Sequence, residues 1–123
     1  MAYEYPKSYL GLRKSGYTKA EGFDEEEFDD DRITEIQHIC EAYFKKAKSY
    51  NYNFGSYQMK HWMEMMTKLF YKEELGDYVS NGELIYAMLE AGFKVKRNGL
   101  NAYFNVTTSS YKRFCQFIDS QLS

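Results

Sequence analysis

Two histidines, two cysteines and one dense run of acids are the residues of this chain with reactive chemistry to offer. His38 and Cys40 stand two positions apart, so on a helix they diverge instead of converging on one ligand. Ser56 and Lys60 stand four apart, but a serine after Gly55 is better explained as a helix cap than as a nucleophile. No Cys-x-x-Cys, His-Glu-x-x-His, phosphate-loop or Gly-x-Ser-x-Gly pattern is present. The acidic run is Asp24, Glu25, Glu26, Glu27, Phe28, Asp29, Asp30 and Asp31. It lacks the alternating ligands and the glycine of a calcium loop. The expectation is therefore a protein without catalytic residues, metal ligands, cofactor or small-molecule substrate. What remains is binding chemistry. Lys94, Lys96, Arg97, Asn98 and Tyr103 gather around one Asn-Gly turn, and cations beside a ring suit phosphates and stacked bases. The competing explanation is a solvated strand face, where lysine discourages edge pairing.

The elements that position these residues follow from composition and spacing. At 123 residues the chain is one domain's length. Its 23 aromatic residues outnumber the 16 Leu, Ile and Val together. Rings bury large areas and favour interfaces, so the excess points to an aromatic core, a contact surface or both. No run reaches the roughly 20 apolar residues of a membrane helix. The start lacks a basic-then-apolar leader, and two cysteines are too few for a disulfide scaffold. A reduced, cytosolic protein is expected. Net charge is −2, but residues 1–41 carry −6 and residues 42–123 carry +4.

Residues 1–22 show no sustained period. With the acidic run they read as a flexible, Tyr-containing segment over 1–31, either disordered or loosely docked by its rings. The domain proper is expected over 32–123. Apolar spacing predicts a first helix from about Arg32 to Ser49 and a second from Ser56 to Glu74. Leu69 and Phe70 fall on the inner stripe of the second. Ser80-Asn81-Gly82-Glu83 is a capping box, with Val79 and Leu84 as its staple, opening a ten-residue third helix. Asn81 and Tyr86 fall on its outward face and are candidate contacts. Asn98-Gly99 predicts a two-residue hairpin turn pairing Arg97 with Leu100 and Val95 with Ala102. A last helix is expected from about Ser109 to Gln121, with Lys112 and Arg113 outward. The fold class is α+β and mainly helical. Helix, helix, helix, hairpin, helix is the order of a winged helix-turn-helix, with Tyr50–Phe54 a candidate for its small extra strand.

Two stretches carry a resemblance. Gly55-Ser56-Tyr57 with Lys60-His61, then Tyr78-Val79-Ser80-Asn81-Gly82, Ala91-Gly92-Phe93 and Asn101-Ala102-Tyr103-Phe104-Asn105, resemble short proteins of bacteriophages and mobile elements with a GSYxxKH…YVSNG…AGF…NAYFN pattern. The resemblance spans about residues 55–106 and carries no established activity. Residues 78–106 also look like the winged-helix modules at the ends of phage and plasmid primase-helicases, which bind nucleic acid or protein.

The expected function is non-catalytic binding of a macromolecule by a phage or mobile-element protein. A protein partner is favoured over DNA, because the third helix brings neither Lys nor Arg to read base edges. Inhibition of a host defence complex is one concrete version, with the acids from Asp24 to Asp31 imitating phosphates or folding back on the basic patch. DNA binding through the basic hairpin wing is the alternative.

Overall fold

The computed structural model describes residues 5–122, so Tyr3 of the expected tail lies outside the described residues. The fold is α+β. Helix α1 spans Asp30–Tyr43, and the Asp29 carboxylate accepts the Asp31 and Arg32 N–H groups at its start. It stops earlier than apolar spacing predicts. Lys46–Asn51 instead form strand β3, which pairs antiparallel with a later strand. Pairing satisfies this backbone and overrides the helical preference of the lysine-rich stretch. Phe44 stays in the core, reached from an extended backbone.

Helix α2 runs over Ser56–Phe70, and a separate turn, α3, covers Lys72–Leu75. The single helix expected to Glu74 thus breaks at Tyr71, leaving Leu69 and Phe70 exposed. Gly55 takes the cap position, while the Ser56 hydroxyl accepts the Ala102 N–H at 3.0 Å and ties α2 to the sheet. Met59, Met63 and Met66 are all fully buried on its inner face, as core and not as an open groove. Helix α4 spans Asn81–Glu90 and opens with the predicted capping box. The Glu83 N–H donates to Ser80 Oγ at 3.1 Å and the Ser80 N–H to Glu83 Oε1 at 2.9 Å.

Strands β4 (Val95–Asn98) and β5 (Asn101–Val106) form the hairpin, with β5 central in the order β3-β5-β4. The register differs from the expected one by a step at the turn. Val95 pairs with Phe104, Arg97 with Ala102 and Asn98 with Asn101, so the loop residues are Gly99 and Leu100. Among these, only Gly99 has positive φ, at 59°. Glycine first is the signature of a type II′ loop, whereas the expected type I′ turn would need positive φ at Asn98 as well. The facial division survives, because the register moves by two: Val95, Ala102 and Phe104 remain on one side. Helix α5 (Thr108–Leu122) closes the core with Phe114 and Ile118.

Of the two expectations for the first segment, disordered or docked by its rings, the described part is docked. Leu12–Arg13 (β1) and Gly16–Tyr17 (β2) form a small hairpin against α4 and the β4–β5 loop. Leu12 and Tyr17 are buried, and the Tyr17 N–H donates to Leu100 O at 2.9 Å. Gly82 makes the approach possible, since a Cβ built there would overlap the Arg13 carbonyl. Its own N–H donates to Lys14 O at 2.8 Å.

Candidate binding surfaces

Helix α4 offers no open face. Residues 81–88 are all buried, which corrects the outward placement of Asn81 and Tyr86. The Asn81 amide nitrogen meets Ser15 O (3.2 Å), Leu100 O (3.2 Å) and Asn101 Oδ1 (3.0 Å). Three acceptors around one nitrogen fix the amide's orientation and leave its buried Oδ1 without a donor. Tyr86 sits under Tyr9, Phe23 and Phe28, with centroids 5.9, 5.0 and 5.0 Å away. Burial, helped by the nearby Glu90 charge, pushes its phenol up to about 12. The sequence hid this because both faces of α4 are covered, and only one cover belongs to the periodic core.

The residues expected on a wing divide. Arg97 is exposed but engaged: its guanidinium lies 4.2 Å over the Tyr17 ring and donates to Lys7 O (2.7 Å) and Leu10 O. It clamps residues 7–17, so its donors are partly spent within the fold. Lys94 and Lys96 are exposed. Lys96 stands opposite Tyr103, whose hydroxyl accepts an N–H from Asn98 at 3.2 Å.

The acidic run is likewise partly spent on structure. Asp24 caps a short 3-10 turn, Asp29 caps α1, Glu25 accepts the Tyr5 hydroxyl at 2.8 Å, and Glu27 pairs with Arg13 at 3.4 Å. Glu26, Asp30 and Asp31 are exposed. None of these acids pairs with the β4–β5 hairpin; residues 7–17 meet Arg97 through backbone carbonyls and the Tyr17 ring.

A cluster not singled out from sequence lies at the start of α2. The Lys60 ammonium sits 5.2 Å from the Tyr57 ring centre and 5.4 Å from that of Tyr78. Glu64 Oε1 accepts from Lys60 Nζ at 3.2 Å and lies 3.2 Å from His61 Nδ1, and Oε2 accepts the Val79 N–H at 3.1 Å. Tyr57 stands edge-on to His61 at 4.6 Å. Lysine and carboxylate are nearly buried, yet Tyr57 and Tyr78 are 53% and 62% exposed. The signal was available: these residues are two separated pieces of the GSYxxKH…YVSNG pattern, and the fold brings them together.

Beneath this cluster, Arg32 joins three elements. Its guanidinium donates to Glu83 Oε2 (2.8 Å), Leu75 O (2.7 Å) and Tyr78 O (2.9 Å). The hydrogen bond to Glu83 raises the arginine's pKa further. The thiols are poor nucleophiles here, because burial pushes both Cys40 and Cys115 up. Among the described residues no three His, Cys, Asp or Glu side chains converge on a metal position, and no helix is long and apolar enough to cross a membrane. No family model, curated protein or solved structure matches the chain.

Proposed function

We propose that this is a non-catalytic phage or mobile-element protein, winged-helix-like in build, that acts in the bacterial cytoplasm by binding another protein. Inhibition of a host defence complex is the concrete version. The observation that carries the proposal is the convergence of Tyr57, Lys60, His61 and Tyr78. Large rings held open to solvent around a desolvated ion pair are the type of anchor that dominates protein interfaces. The winged-helix assignment rests on the order α1, β3, α2, α4, β4, β5 and on the sheet order β3-β5-β4. The covered face of α4 favours protein over duplex DNA, since a helix read in the major groove needs exposed polar side chains.

The test is capture from a bacterial lysate, with and without nuclease, by wild type and by a Tyr57→Ala/Tyr78→Ala double variant. The proposal expects a nuclease-resistant partner that the double variant loses while its melting temperature stays unchanged. Capture that survives the double variant, or that disappears with nuclease, would overturn it. Phosphate mimicry by the leader falls first to Glu26, Asp30 and Asp31, since the equally exposed Asp24, Glu25 and Asp29 already accept hydrogen bonds within the fold.

A further inference from the structure

We propose that the outer face of the three-stranded sheet binds a single strand of nucleic acid, by stacking bases on a row of tyrosines beside lysines. This surface is separate from the Tyr57–Tyr78 cluster and does not depend on it.

The first observation is charge. Residues 42–60 and 91–118 contain all three strands, and they hold nine Lys and Arg with no Asp or Glu. The chain has 16 basic and 18 acidic residues, so every acid lies elsewhere. Of these nine, Arg97 and Lys60 are engaged within the fold, and Lys46 lies over the Phe93 ring. Lys48, Lys94 and Lys96 remain exposed on or beside the strands, and Lys112 is exposed one turn into α5. A polyanion brought to this face meets no carboxylate from the strands themselves.

The second observation is the row of rings. Ala102, Phe104 and Val106 of β5 face the core, so alternation sends Tyr103 to the other side, along with the buried Asn105, whose amide is taken by Ala47 O and the Lys94 N–H; Asn101 at the strand's start is bonded to Asn81. Lys96 stands opposite Tyr103 on β4, and Asn98 donates to its hydroxyl. The Tyr103 ring lies 5.1 Å from Tyr52, and Tyr52 lies 6.4 Å from Tyr50. Tyr50 reaches across β5, and its hydroxyl donates to Val95 O at 3.3 Å. Two of the three rings are thus held by hydrogen bonds, while Tyr52 is 57% exposed. Fixed rings cost little entropy when a base stacks on them. At the far end, Tyr50, Tyr52, Thr107 and Thr108 line a groove of about 410 Å³ against the N-terminus of α5, where N–H groups favour a phosphate.

Single strands fit this face better than a duplex. Stacking needs unpaired bases with open faces, whereas a duplex offers only groove edges. The helix that would enter a groove is the covered α4.

The experiment is fluorescence anisotropy with labelled 20-nucleotide oligo(dT) and oligo(U), at low salt and then over a salt series. Binding that weakens steeply with salt is expected. Tyr52→Ala should weaken it by roughly 10-fold, within the range for one lost base stack, and Tyr52→Phe should keep it. Lys96→Gln should lower the slope of log affinity against log salt by about 0.7. Tyr78→Ala, in the separate cluster, should bind oligonucleotide like wild type, so this proposal and the protein-binding one fail independently. Absence of binding at low salt would overturn it. So would equal binding by Tyr52→Ala and Lys96→Gln together, or a duplex of the same length competing as well as the single strand.

Discussion

The first quarter of the chain and the β4–β5 hairpin make an instructive pair. Both are polar, Tyr-bearing and short of aliphatic residues, and both were candidates for free contact surfaces. Residues 5–28 turned inward, while the outer hairpin face stayed open. The difference lies in what each has to rest on. Gly82 lets the β1–β2 hairpin approach α4 at backbone distance, and Arg97, Asn81 and Leu100 O supply polar partners for its main chain. On the outer hairpin face Lys94, Lys96 and Asn98 are exposed beside the half-buried Tyr103. Burial is decided by available partners as much as by hydrophobicity.

The sharpest way to break this contrast is Gly82→Ala. In an open helix this substitution stabilises, but here the new methyl meets the Arg13 carbonyl. A loss of about 3 kcal/mol, or roughly 10 °C in melting temperature, is expected by thermal denaturation. A neutral or raised melting point would show that the leader is only loosely held. Arg32→Met comes next. It leaves Glu83 and the Leu75 and Tyr78 carbonyls without their donor, a cost of about 2 to 3 kcal/mol readable by urea denaturation.

Alkaline pH probes the same seam without mutation. Burial raises both Tyr17 and Tyr86 from about 10 to about 12. Between those values the unfolded phenols ionise while the folded ones stay protonated, so the stability these two contribute is intact below pH 10 and declines as pH rises towards 12, on top of a loss of the same sign from Cys40, Cys115 and Tyr111, which burial also raises. For Tyr17 the slope is about 1.4 kcal/mol per pH unit. Denaturant midpoints from pH 8 to 12 should show the decline, and a Tyr17→Phe/Tyr86→Phe variant should make it shallower. Arg97→Gln removes the stacking on Tyr17 and the bonds to Lys7 O and Leu10 O, for about 1.5 kcal/mol. Lys96→Gln, its neighbour, should leave stability unchanged, which separates a clamp from a surface cation. The smallest effect belongs to Glu26→Gln, Asp30→Asn and Asp31→Asn, each within about 0.5 kcal/mol by thermal melts.

Local signals were legible where they concerned one element. The capping box at Ser80–Glu83, the hairpin's facial division and the α5 stripe all needed only neighbours in sequence. What escaped was set by distant partners. Strand β3 exists because β5 is beside it, although Lys45 to Lys48 suit a helix end. Tyr86 looks like an outer residue until Tyr9, Phe23 and Phe28 cover it. Arg97 looks like a wing cation until Tyr17 lies beneath it. The Tyr57–Tyr78 cluster joins two pieces of one sequence pattern, and only the fold shows that they touch.

The docking of the leader also sets a timetable for synthesis. Lys7 and Leu10 are bonded to Arg97, 90 and 87 residues later, and Tyr9 to Glu90, 81 residues later. At about 5 to 20 residues per second, the early segment waits roughly 4 to 18 s on the ribosome for its partners. During that wait the seven acids between Asp24 and Asp31 keep the emerging chain mutually repelled and dissolved. The charge that caps helices in the finished molecule is thus an uncapped like-charge run until its partners emerge.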